Sequence, residues 1–156
     1  MFVDSKIETT IILLTQGEFG GFRDIRKTEF ELAMDWWGFG YKRFRFPDLG
    51  LNFFPLKKMV KAIREVVSRE RITILVSFNP NEIVSGFDHP DHNRAGEIAR
   101  LVSVSMGGRR GLIFWESSGR ATRTGERIKY VKEFYPSQKI PGNILKKLGE
   151  SYLLIR

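Results

Sequence analysis

Short apolar runs of strand length, rich in β-branched residues, alternate along this chain with longer stretches whose apolar residues recur at helical spacing. That alternation constrains the fold more than any other feature, because parallel strands need a crossover connection and the usual crossover is an α-helix. Ile7 to Thr15 reads as a buried strand running into a loop at Gln16-Gly17-Glu18. Asp24 can cap a helix on which Ile25, Phe30, Ala33, Met34 and Trp37 recur, with Gly38 and Gly40 as its stop. Lys42 to Phe46 alternates basic and aromatic residues as a short strand, and Pro47-Asp48-Leu49-Gly50 is a turn. Leu56 to Arg69 has Met59, Val60, Ile63, Val66 and Val67 on one side and Lys or Arg on the other, as an amphipathic helix does. Ile72 to Phe78 is the next strand and Asn79 to Phe87 a polar loop. A helix with Ile98, Leu101, Val102 and Val104 on its apolar face follows. Gly111 to Trp115 reads as a buried strand, Glu126 to Phe134 as a short helix, Ile144 to Leu148 as a turn and Tyr152 to Ile155 as a closing strand.

The predicted fold class is therefore α/β, a mostly parallel sheet with helices on both faces and functional loops at the strand C-terminal ends. Gln16 to Gly20, Asn79 to His92 and Glu116 to Arg123 would share that rim. A single domain over residues 1–156 is expected, since 42% apolar residues with 13 Phe, 3 Trp and 4 Tyr can fill one core. No apolar run approaches the ~20 residues that cross a bilayer, and the run from Thr9 to Thr15 lacks a cleavage pattern. A soluble, cytoplasmic protein is the expectation. A net charge of +8 and a pI near 9.9 suit an anionic partner such as nucleic acid, a phospholipid surface or a phosphorylated sugar. Interleaved Gly, aromatic and basic residues of the RNA-binding kind are missing, so nucleic acid is not expected. Arg109-Arg110 and Lys146-Lys147 read as ordinary surface.

Cys is absent, so metal ligands must come from His, Asp or Glu, and the only two histidines lie together in His89-Pro90-Asp91-His92. The motif closes a loop after a strand and opens a helix. Proline biases His89 toward an extended backbone, so the two imidazoles should point in different directions, one toward a metal and one toward substrate. Asp88 and Asp91 could accept the remaining ring N–H of a ligating histidine and hold its tautomer. The plainer alternative is that Asp88 or Asp91 caps the helix and the histidines are polar loop residues.

With its neighbours the motif reads His89-Pro90-Asp91-His92-Asn93-Arg94-Ala95-Gly96, which resembles the HPDHR-x-x-G element of the PIG-L/LmbE-like deacetylases. Leu14-Thr15-Gln16-Gly17-Glu18 resembles that family's strand ending in T-D-G-E. Arg26-x-x-Glu29-x-x-x-Ala33-x-x-x-Trp37-Gly38 resembles its R-x-x-E-x-x-x-A-x-x-x-L-G helix. Pro47-Asp48-Leu49-Gly50-Leu51 is similar to its D-G-x-L turn, and Lys132 to Gln138, with Ser137-Gln138, to a late helix with a Ser-Gln pair. The resemblance implies a Rossmann-like sheet and zinc-dependent removal of the N-acetyl group from an N-acetylglucosamine conjugate. Such conjugates include a phosphatidylinositol glycan, a mycothiol or bacillithiol precursor, or a chitin oligosaccharide.

Carried over residue by residue, it makes His92 the metal ligand and His89 the group that stabilises the oxyanion or protonates the leaving amine. Asp91 would orient a histidine, and Arg26 would face the substrate unless it merely pairs with Glu29 along the helix. In the family, zinc polarises the acetyl carbonyl and acidifies its bound water, while a carboxylate base and two further ligands come from an A-H-P-D-D-E motif after the first strand. That motif has no counterpart here, and the family's first strand is missing with it. The expectation is a sequence starting at an internal methionine of a longer product, holding zinc weakly and showing little or no deacetylase activity by itself. A partner chain or oligomer supplying the strand is a second explanation, and a degenerate relative without catalysis a third. As a function, the rival reading is a non-catalytic module binding a carbohydrate or anionic ligand.

Overall fold

The computed structural model describes residues 8–15, 23–47, 50–81, 90–108, 111–116, 133 and 151–155. The helix expected over Glu126 to Phe134 lies almost wholly outside the described residues, and the turn at Ile144 to Leu148 and the Ser137-Gln138 pair lie outside them entirely. Two compact units make up the chain, Met1–Asp48 with Arg123–Leu145, and Leu49–Thr122 with Lys146–Arg156.

The first unit contains strand β1 (Thr10–Leu13), helix α1 (Arg23–Trp37) and strand β2 (Gly40–Arg43). β1 and β2 pair in parallel from Thr10 opposite Gly40 to Leu13 opposite Arg43, with α1 as the crossover that a parallel pair requires. α1 buries Glu29, Phe30, Ala33 and Met34. Ile11, Leu13, Phe39 and Tyr41 pack against the apolar three of these, and the rings of Phe30 and Tyr41 meet edge to face at 5.4 Å. Asp24 lies inside the first turn of α1 rather than ahead of it, where a carboxylate still complements the positive end of the helix dipole. The second strand begins at Gly40, two residues before the expected start, because the Gly40 amide already donates to the Thr9 carbonyl. Phe44 and Phe46 continue that pairing to the Leu13 and Leu14 carbonyls, and their rings stack.

The second unit opens with a short 3-10 helix (Leu51–Phe53), followed by α2 (Leu56–Arg69), β3 (Ile74–Phe78), α3 (Pro90–Ser105), β4 (Gly111–Glu116) and β5 (Ser151–Ile155). β3 and β4 are parallel around the α3 crossover, and β5 closes antiparallel to β4. Parallel strands joined through helices confirm the α/β class. The apolar side of α2, Met59, Ile63, Val66 and Val67, is buried, as its i, i+4, i+7, i+8 spacing demands. α3 packs on α2, β3 and β4. Leu51, Met59, Val67, Ile98 and Val102 are fully buried, each contributing about 1.5–3 kcal/mol of hydrophobic stabilisation. Val104, expected on the apolar face of α3, is exposed instead, because two residues beyond Val102 is about 200° around a helix. On β3, Leu75 is buried while Ile74 and Val76 alternate to the other face and are exposed.

One capping solution ends α1, α2 and α3. In each, an amide just past the helix reaches back five residues to a carbonyl: Phe39 to Met34, Ile72 to Val67, and Gly108 to Ser103. The preceding residue, Gly38, Arg71 or Gly107, adopts positive φ (67°, 53° and 73°), the signature of the Schellman motif. Ile72 is thus spent on the cap, which is why β3 starts at Ile74 rather than at Ile72. Arg71 is the exception among the three, since a left-handed conformation costs a residue with a Cβ roughly 1–2 kcal/mol. Arg71→Gly is expected to raise stability by up to about 1 kcal/mol, with Arg71→Ala giving no such gain. The midpoint of urea unfolding measures this, and a lower midpoint for the glycine variant would contradict the cap assignment.

Candidate functional site

α3 begins at Pro90, so the Pro90-Asp91-His92 part of the motif forms its first turn and follows the C-terminal end of β3, where ligand sites of parallel sheets form. Proline suits a first helical position because its missing N–H would have no partner there. His89 and Asp88 lie outside the described residues, as do Gln16, Gly17 and Glu18.

Asp91 is buried at 8% exposure and its Oδ1 accepts the Leu51 amide at 3.1 Å, forty residues away in sequence. That amide belongs to the first residue of the 3-10 helix, whose N–H finds no partner within so short an element. The carboxylate therefore ties Leu51 and its 3-10 helix to the helix carrying the histidine. Its position in the first turn of α3 also places negative charge at the positive end of the dipole.

The imidazole of His92 lies flat on the ring of Phe78, the last residue of β3, with centroids 4.0 Å apart and planes inclined by 3°. One face of the ring is covered by an apolar partner, so its orientation is set by packing on the strand. A turn further on, Gly96 is buried where α3 crosses the end of β3. A Cβ there would sit 2.2 Å from the Phe78 carbonyl oxygen and 2.8 Å from the Pro80 nitrogen. Both are backbone atoms, which cannot swing aside. The glycine thus permits the helix-to-strand distance that brings His92 onto Phe78. Arg94 pairs with Glu97 at 2.6 Å and points its second amino group at the Phe54 carbonyl at 3.4 Å, a second link from α3 to the segment preceding α2.

Sequence reasoning names Asp91 and His92 but misses their partners Phe78 and Leu51, and it treats Gly96 as a motif letter. Phe78 carries a signal, since a strand-ending aromatic beside a histidine-bearing helix is placed to stack; the Leu51 amide carries none. Arg26 lies on α1 in the first unit, half-buried, one turn before the buried Glu29.

Zinc tests poorly against the described residues. A catalytic zinc takes about three protein ligands, and no group of three His, Asp or Glu side chains converges among the described residues. His92 can offer one nitrogen, while Asp91 already holds the Leu51 amide. Further donors would have to come from outside these residues.

Gly96→Ala reverses the usual sign of that substitution: in an ordinary helix it stabilises by roughly 0.5–1 kcal/mol, and here overpacking is expected to destabilise by about 1–3 kcal/mol in urea unfolding. Asp91→Ala leaves the Leu51 amide without its acceptor and should cost about 1–3 kcal/mol, whereas Asp91→Asn keeps a carbonyl acceptor and most of that stability. In the proton NMR spectrum the His92 ring signals should sit upfield under the Phe78 ring current and move downfield in Phe78→Leu. Unmoved signals would refute the stack.

The solved structures similar to this chain share its architecture. Against N,N'-diacetylchitobiose deacetylase from Pyrococcus horikoshii, complexed with its inhibitor MPG, the TM-score is 0.74 at 14% identity, covering 99% of this chain and 75% of that one. Against a conserved protein from Thermus thermophilus it is 0.69 at 20% identity, covering 93% and 73%. The A40926 pseudoaglycone deacetylase gives 0.51 at 20% identity, covering 72% of this chain and 52% of that one. Comparison with curated proteins finds no match. The sequence pattern of the GlcNAc-PI de-N-acetylases matches residues 1–103, through the HPDH motif and most of α3. No helix among the described residues is long and apolar enough to cross a membrane. With the pattern of one family matching about two thirds of its length, this chain belongs to the PIG-L family of GlcNAc-PI de-N-acetylases.

Proposed function

We propose that this chain carries the histidine half of a metal-dependent N-deacetylase site acting on an N-acetylglucosamine conjugate. The observation that supports this reading is the opening of α3: Pro90-Asp91-His92 at the end of β3, with the imidazole set by Phe78 and the carboxylate by the Leu51 amide. In this reading His92 is the metal ligand that the chain contributes. His89 stabilises the oxyanion or delivers the proton to the departing amine, a role that an imidazole can fill near neutral pH. Asp91 holds the first turn and orients a histidine, and Arg26 faces the substrate.

Because two further ligands and the carboxylate base have no counterpart in this sequence, the chain by itself is proposed to hold zinc weakly and to hydrolyse slowly or not at all. The alternative is a relative that binds a carbohydrate or an anionic ligand without hydrolysing it.

Zinc stoichiometry and release of acetate from an N-acetylglucosaminide separate the two, measured on this chain and on a form extended by whatever the reading frame encodes upstream. The expected result is full zinc occupancy and hydrolysis in the extended form only, both lost in its His92→Ala variant. Sugar binding that is indifferent to zinc and to His92→Ala, with no acetate released by either form, would establish the binding relative instead. Asp91→Asn adds a finer test, since it should keep the fold while lowering kcat if the carboxylate charge orients a histidine.

A further inference from the structure

The deacetylase reading makes no use of the outer side of α2. That helix buries Met59, Ile63, Val66 and Val67, and its other face carries Lys57, Lys58, Lys61, Arg64 and Arg69, all exposed, against the single acidic residue Glu65. Lys57, Lys61 and Arg64 follow the i, i+4, i+7 spacing, so three cations lie in a line along about 10 Å of one helix face. Arg69 is partly compensated by Glu70 at 3.2 Å, while the line itself points to water. Just ahead of the helix, Phe53 ends the 3-10 helix with 92% of its surface exposed, the most exposed of the large hydrophobic residues described.

Phe53 precedes Lys57 by four residues, so a fully exposed ring and the first cation of the row lie on one short stretch of chain. From this juxtaposition we infer that the α2 face with Phe53 docks on an anionic phospholipid bilayer surface. The cations engage headgroup phosphates and carboxylates, and Phe53 enters the boundary between headgroups and acyl chains. The apolar side of α2 is committed to the core, so the helix lies on the surface without inserting. Charge supplies most of the attraction, and the one aromatic residue supplies a contribution that salt does not screen. Nucleic acid fits this face less well, since single-stranded binders interleave several stacking aromatics with their cations, and α2 has none between Lys57 and Arg69. This inference stands apart from the deacetylase reading, because it concerns neither His92 nor any metal.

The test is sedimentation of the full chain with vesicles of phosphatidylcholine alone and of phosphatidylcholine containing phosphatidylserine. Binding is expected only to the second, falling as salt rises. The variant Lys57→Glu/Lys61→Glu/Arg64→Glu should lose it by about a hundredfold or more, taking roughly fivefold for each cation removed and more for reversal. Phe53→Ser should weaken binding several-fold at every salt concentration without changing the steepness of the salt dependence. All four positions are exposed, so circular dichroism should show each variant folded. The control Lys27→Glu/Arg45→Glu, exposed positions of the first unit, should bind as the parent does. Equal binding to both vesicle types, no binding to either, or equal loss in the control would overturn the proposal. So would an oligonucleotide that binds more tightly than the vesicles and is indifferent to Phe53→Ser.

Discussion

At Gly96, α3 lies so close to the end of β3 that a Cβ would meet the Phe78 carbonyl at 2.2 Å, and the arrangement of the site depends on that approach. With the helix this near, the first turn of α3 comes over the last residue of the strand, His92 lies on Phe78, and Asp91 reaches the Leu51 amide. Had the helix been pushed away from the strand by the width of a methyl group, the stack of His92 on Phe78 would open, because dispersion acts only at contact.

A second constraint follows from the first. The 3-10 helix of Leu51–Phe53 is too short to satisfy its own amides, and Leu51 is fully buried, so its N–H needs an acceptor from elsewhere. A carboxylate at the start of α3 meets that need and gains from the helix dipole at the same time. Asp91 thus has a structural task that holds whether or not a metal is bound. The proposal that it also orients a histidine adds a role to a residue the fold already requires.

Several features are legible in the sequence because they are local. The span predicted for α2, Leu56 to Arg69, is the span observed, since its apolar spacing is regular and a proline precedes it. Parallel strands with helical crossovers follow from the alternation of apolar runs and amphipathic stretches. Other features are misplaced at their edges for a shared reason. Gly40 reads in the sequence as part of a helix stop and Ile72 as the start of a strand. The cap in fact ends one residue after Gly38 and, at the other helix, uses Ile72 itself. Which residue leaves the helix and which enters the strand depends on the conformation at the residue between them. The side chain of Arg71 gives no hint of positive φ.

What the sequence by itself determined is the α/β class, the family, and the residues of the histidine motif, because these are written in periodicity and in a contiguous pattern of side chains. The tertiary structure alone decided what those residues touch. A stack between Phe78 and His92, a bond from Leu51 to Asp91 and the need for glycine at position 96 each join segments that chain order keeps apart. Composition can name such partners only after packing has brought them within a few ångströms, since dispersion, hydrogen bonding and steric exclusion all act at contact.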